Sequence, residues 1–352
     1  PEIQFIRAAV RATTNVGTLT SQGDVTHRAD IARATYGVTG AGVKVGVISD
    51  SVDHLEASQA SGDLGTVTIL PGQSGLGQNN SGEGTAMLEI VHDLAPDAAL
   101  HFASAFNGPA SFAQNIRDLR FKSGCDIIVD DVLYFNESPF QDGVIAQAAN
   151  DVTANGALFF SSAANSGNKS DGQSGTWEGD FLDSGKTFTV DNEQKPAHAF
   201  GSNPYNTAAS GGSSGRIDLF WADPLGGSAN DYDVFVTSSS GTVVGAGTNP
   251  QTGTHDPYES VNKLEVGQRV YVVKYSGAAR YLYLGTGRGR LTVSTAGNTR
   301  GHACAADAFG VAAVDVSTSY PQPFTGNQKN PVEKFSSDGP RRVFFHANGA
   351  AV

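Results

Sequence analysis

Apolar and polar positions follow two different styles along this chain. In the first, Val43-Lys44-Val45-Gly46-Val47-Ile48-Ser49-Asp50 is a β-branched run that ends in polar residues. Its length and branching predict a buried parallel strand. Residues 99–103, 125–131 and 157–162 repeat the pattern. Between these runs, Gly82 to Leu94 sets Ala86, Ile90 and Leu94 on one helical face. Phe112 to Phe121 and Gln141 to Ala154 read as further helices. Strands and helices alternating at this spacing predict βαβ units and a parallel sheet covered on both faces.

The second style runs from Asn168 to about Ala296. Here apolar and polar residues alternate in Ile217–Trp221, Tyr232–Val236, Val270–Val273, Tyr281–Leu284 and Leu291–Val293, with Gly, Asn and Ser turns between them. That is the pattern of an antiparallel sandwich. After His302, residues 308–314 return to the buried-strand style. The economical reading is an N-terminal segment or linker (1–36), an α/β unit (37–172), an inserted β-sandwich (173–298) and the α/β unit continued (299–352). The fold class expected is α/β, a doubly wound parallel sheet interrupted by an antiparallel insert.

Composition narrows the function. Gly accounts for 43 of 352 residues, with 39% hydrophobic and 16% charged, which is too apolar for a disordered chain. No apolar run reaches the roughly 18 residues of a membrane span. The net charge of −12 argues against nucleic acid or an anionic membrane as a partner. Pro1-Glu2-Ile3-Gln4 opens without a Met or a signal peptide, so the N-terminus is expected to be processed. Few Lys and many Gly, Ser, Thr and Asn suit a secreted enzyme. Cys125 and Cys304 form no CxxC pattern; they read as two buried small residues or one long-range disulfide. His54, His92, His101 and His302 follow no metal spacing, and no metal or cofactor is required. Gly37, Gly40, Gly42 and Gly46 precede or interrupt a strand, the wrong place for a dinucleotide fingerprint.

Three segments carry a resemblance. VKVGVISDSVD (43–53), SGEGTAMLEIVHDLAPDA (81–98) and GALFFSSAANSG (156–167) resemble, in order, segments of subtilisin-type serine peptidases. GHACAADAFGVAAVDV (301–316) and FSSDGP (335–340) extend the likeness. The resemblance implies a subtilisin-like fold and a peptide or protein substrate. By the same resemblance, a propeptide or the chain's own C-terminal fragment is a partner, and a structural calcium is possible. Glu83 stands where the family has its general-base histidine, the exchange that sedolisins carry. Sedolisins place their Asp one helical turn later, and here that position is Met87. The acid is therefore expected from the first strand, as in subtilisin, giving an Asp–Glu–Ser set.

Asp50 is the expected acid and Asp53 the alternative. Aligned without a gap, Ser49 falls on the family's aspartate, so Asp50 requires a local irregularity. A carboxylate can accept a serine proton, but an ordinary Glu near pKa 4.3 is a weak base. A neighbouring carboxylate and partial burial would raise its pKa and tilt activity toward acidic pH. The plain alternative is a first-turn acid favoured by the helix dipole. Asn165 is the expected oxyanion donor. Val132, Leu133 and Tyr134 fall where the substrate-binding edge lies, and an extended peptide would add there as an antiparallel strand. Tyr134 and Phe135 are candidates for the wall of the specificity pocket, or for core aromatics. The family's Gly-Thr-Ser nucleophile motif does not occur in residues 1–352. The expectation is a serine endopeptidase seen as a fragment or nicked chain, with an inactive binding or scaffold protein as the rival.

Overall fold

The run Lys44–Ser49 forms the strand that its β-branched residues predict, and all but Lys44 are buried. In the computed structural model, which describes residues 13–14, 22–77, 81–212, 215–262, 264–326 and 329–352, this strand lies inside a six-stranded sheet. The order across the sheet is Ala308–Val311, Leu158–Ser162, Ile127–Asp130, Lys44–Ser49, Ala99–Ser104 and Val67–Ile69. Every neighbouring pair is parallel. The chain fills one side of Lys44–Ser49 first and then crosses to the other. Such a reversal opens a crevice at the carboxyl ends of the strands.

Helices Pro109–Phe121 and Val144–Ala154 cover one face, burying Ile48, Phe112, Ile116, Ile128 and Phe159. Pro109 starts the first of them earlier than the apolar spacing predicts, because Pro is pre-set for a first helical position. Helix Glu83–Leu94 covers part of the other face through Leu88, against Val45, Val47 and Phe102. Among the described residues, the rest of that face is open. Leu158, Phe309 and Val311 are about half exposed, and Phe160 stacks on Phe309 at 4.8 Å. A parallel sheet ordinarily has both faces covered.

The segment read as a linker holds two short helices, Gly23–Thr26 and Ala29–Tyr36. Arg33 pins them, bonding Asp24 at 2.6 Å and the Leu94 carbonyl at 2.9 Å. No residue of Ala29–Tyr36 is buried. The last central strand also ends at Val311 rather than continuing to residue 314.

Among the described residues, strands between Thr176 and Leu291 form two antiparallel sheets, of four and seven strands, and none joins the central sheet. Ile217, Leu219 and Trp221 enter a core shared with Tyr232, Val234, Val270 and Val272. Phe220 points the other way, against Phe140 and Tyr283, so Ile217–Trp221 is buried on both faces. The hairpin Asp183–Val190 to Glu193–His198 turns through Asp191 and Asn192, both with positive φ. At the neck of this region, Ser174 Oγ donates to the Thr295 carbonyl at 2.6 Å and accepts from Asn298 Nδ2 at 3.1 Å. Entry and exit are thereby held side by side. Both cysteines are free thiols, so the disulfide alternative is closed; burial pushes the Cys125 thiol up to about 12.

Candidate active site

The strand Lys44–Ser49 ends at the crevice, and its last side chain is engaged there. Ser49 is fully buried, and its hydroxyl donates to Glu83 Oε2 at 3.0 Å. Asp50, also buried, turns to the start of the Glu83 helix. Its Oδ2 accepts from Ser81 N at 2.7 Å and Ser81 Oγ at 2.8 Å, and its Oδ1 accepts from Gly84 N at 3.2 Å. The helix N-cap is Gly82, which has no side chain to satisfy those amides. A carboxylate supplied from the neighbouring strand end fills that role and complements the helix dipole. Asp50 therefore fixes the turn that presents Glu83, while the hydroxyl on Glu83 comes from Ser49.

Two glycines of the Gly82-Glu83-Gly84 run are forced. Gly82 has φ +76°, in the left-handed region. At Gly84, a Cβ would sit 2.3 Å from the Phe102 ring and 2.5 Å from the Ser51 carbonyl oxygen. The helix can start this close to the strand only with glycine there. Asp53, the alternative acid, accepts from Ser51 Oγ at 2.7 Å, and its carbonyl accepts from Thr85 Oγ1 at 2.8 Å. Met87 is partly buried and packs against the core beneath the helix.

Asn165 follows the end of strand Leu158–Ser162 and lines a cavity of about 230 Å³ with Ser166, Gly167, Gln173, Ser210, Arg288, Arg290 and Phe335. Arg288 has φ +61° and lies in the turn between Tyr281–Thr286 and Arg290–Leu291. Burial lowers the pKa of its guanidinium, opposed by the charges of Asp131 and Glu83. The antiparallel region thus delivers a cation within electrostatic reach of Glu83 and onto the Asn165 cavity. Sequence reasoning missed it. The signal available was a pair of arginines in the glycine-rich run Gly285–Arg290.

Val132–Leu133 forms a short strand beyond the central sheet. Thr13–Thr14 pairs with it antiparallel, Thr13 opposite Leu133 and Thr14 opposite Val132. Tyr134 corrects the expectation of a pocket wall. It is fully buried, packs on Phe112, and donates its hydroxyl to the Ala105 carbonyl. Burial raises its pKa. Neighbouring side chains of an extended segment point to opposite sides, so the buried cluster beside the Asn165 loop is instead Leu133, Phe135 and Ala164.

No family model and no curated protein sequence matches the chain. Among solved structures, the chain is similar to the Clostridium perfringens CspB protease, with a TM-score of 0.50 and 14% identity over 92% of this chain and 78% of that one. A lanthipeptide protease overlaps less, with a TM-score of 0.30 and 17% identity over 46% of this chain and 52% of that one. The fold is subtilase-like. On this subtilase-like sheet, Ser49, Asp130 and Ser162 end three adjacent strands, and Ile48 pairs with Asp130, which pairs with Ser161. Among the described residues, no group of three or more His, Cys, Asp or Glu side chains is arranged to hold a metal ion. Among the described residues, no helix is long and apolar enough to cross a membrane.

Proposed function

We propose that this chain is a subtilisin-like serine endopeptidase acting with an Asp–Glu–Ser set. The observation that carries this reading is the antiparallel pairing of Thr13–Thr14 on Val132–Leu133. That edge already accepts an extended chain, and a peptide substrate would bind by the same strand addition. Glu83 takes the proton of the serine nucleophile, Asp50 holds the start of its helix, and Asn165 donates to the developing oxyanion. The serine belongs to a segment that packs on the open half of the central sheet, where Leu158, Phe309 and Val311 lie. The N-terminal segment acts as a propeptide that occupies the substrate edge, and the enzyme works outside the cell.

Arg288 supports a second reading. A cation within electrostatic reach of Glu83 offers its carboxylate an ion-pair partner, which suits an inactive binding or scaffold protein. The product of the full-length gene, treated with a serine-directed phosphonate, separates the two. The peptidase reading expects a labelled serine outside residues 1–352 and hydrolysis of extended peptides. A label on a serine within 1–352 overturns the proposed nucleophile, and a folded protein that neither labels nor hydrolyses supports the scaffold. In the active protein, Ser49→Ala is expected to lower kcat/KM about 10-fold, the equivalent of one lost hydrogen bond to a charged group. Steady-state kinetics on the folded variant checks it, and an unchanged value removes Ser49 from the site.

A further inference from the structure

The strand Val132–Leu133 lies in a segment with a buried acid at each end. Asp130 and Glu137 are 2% and 8% exposed. Between them sits His302, 1% exposed. Its Nε2 is 3.1 Å from Asp130 Oδ1 and its Nδ1 is 2.7 Å from Glu137 Oε2. The backbone N of His302 also donates to Glu137 Oε1, at 3.0 Å. A neutral imidazole has a single N–H, so with both carboxylates ionised each ring nitrogen must carry a proton. The ring is enclosed by Phe112 and Phe159 at centroid distances of 5.1 and 6.4 Å. Asp130 Oδ1 also accepts from Val132 N at 3.1 Å and from Ser161 Oγ at 2.9 Å.

Two residues earlier, buried Arg300 reaches the same segment. Its guanidinium donates to the Phe135 carbonyl at 2.8 Å and to Tyr283 Oη at 3.0 Å. Gly301 joins Arg300 to His302 with φ +69°, and a Cβ there would lie 2.6 Å from Glu137 Cδ. One tripeptide at the exit of the antiparallel region therefore holds residues 130–137 at both ends and near the middle.

We infer that the Arg300-Gly301-His302 turn is a clamp that positions the substrate edge, with His302 as its central positioning residue. This rests on the peptidase reading for its consequence in catalysis, but not for the clamp itself. By fixing Asp130 and Glu137, His302 sets the height and register of Val132–Leu133, to which an extended peptide must add. Removing the cation leaves two buried carboxylates without their counter-ion, and the segment between them loosens.

The test uses the full-length protein. Nitrogen-15 NMR of the wild-type imidazole at about pH 8, above the ordinary histidine value of about 6.5, is expected to show His302 doubly protonated. A neutral ring there overturns the clamp. His302→Gln is expected to raise amide hydrogen exchange at Val132 and Leu133 about 10-fold or more relative to the central strand Lys44–Ser49. If it does not fold, Glu137→Gln, which keeps the shape of the acid, gives the same readout. Unchanged protection at those two amides in a folded variant overturns the inference, whether or not the protein is an enzyme. In an active enzyme, KM for an extended peptide should rise about 10-fold with kcat within about 3-fold. A purely structural loss would lower the active fraction and leave KM alone, which also counts against positioning. A wild-type protein that shows the imidazolium but hydrolyses nothing would sink the peptidase reading and leave the clamp standing.

Discussion

On the peptidase reading, Glu83→Gln is expected to lower kcat/KM by about a thousandfold while the fold persists. The amide has the shape of the carboxylate but cannot take up the hydroxyl proton. The contact that orients residue 83 survives, because Ser49 Oγ can still donate to the amide oxygen in place of Oε2. Asp50 is untouched on Ser81 and Gly84, so the helix still starts where it did. The check is kinetics on a variant whose melting temperature stays within about 3 °C of wild type. Substantial turnover by such a variant removes the role given to Glu83. With Glu83 as base, activity should rise with pH through the carboxylate range and hold toward neutral pH, because the base must be ionised to take the proton. An alkaline plateau with an inflection near about 6.5 would point to a histidine instead.

Gly84→Ala sets two effects against each other. On helix propensity alone the change gains about 1 kcal/mol. On packing it loses more, because the new methyl meets the Phe102 ring and the Ser51 carbonyl oxygen at distances no carbon tolerates. Overpacking a site whose neighbours include backbone costs up to about 3 kcal/mol, so a net destabilisation of about 2 kcal/mol is expected. Denaturant unfolding gives the sign directly. A stabilised variant would mean that the helix stands further from the strand than these distances place it. The shift that accommodates the methyl also moves Glu83, its immediate neighbour, so activity should fall with stability.

The elements easiest to read in the sequence were those whose burial is repeated along one short run. Lys44–Ser49 and Ile217–Trp221 are examples, the first a continuous apolar run and the second an alternating one with a second buried face. The hairpin Asp183–His198 was harder. Its strands are largely exposed and rich in polar residues, and its turn is set by Asp191 and Asn192 rather than by glycine.

At the candidate site, the difficulty was of a different kind. Whether Ser49 or Asp50 faces Glu83 depends on a one-residue choice of strand face, which local pattern does not decide. Ser49 Oγ donates to Glu83 Oε2, and Asp50 reaches the same turn through Ser81 and Gly84. Tyr134 and Phe135 are adjacent in sequence, yet one belongs to the core and the other to the cluster beside the Asn165 loop. Arg288 and His302 are more than a hundred residues from the segments they serve. Their contacts arise only when separate sheets pack together, and no spacing rule reports that.

The paired neck at Ser174, Thr295 and Asn298 bears on the order in which the molecule assembles. Strand Leu158–Ser162 must find Ala308–Val311 across a gap of 145 residues. For a flexible chain the entropy of closing that loop grows with its length. Once the antiparallel region has collapsed with its ends tied together, the two strands are separated only by short arms on either side of the neck. The long search becomes a short one, and the outermost strand of the central sheet becomes the last to dock. Refolding followed by pulsed hydrogen exchange should therefore protect the amides of Ile217–Trp221 before those of Ala308–Val311.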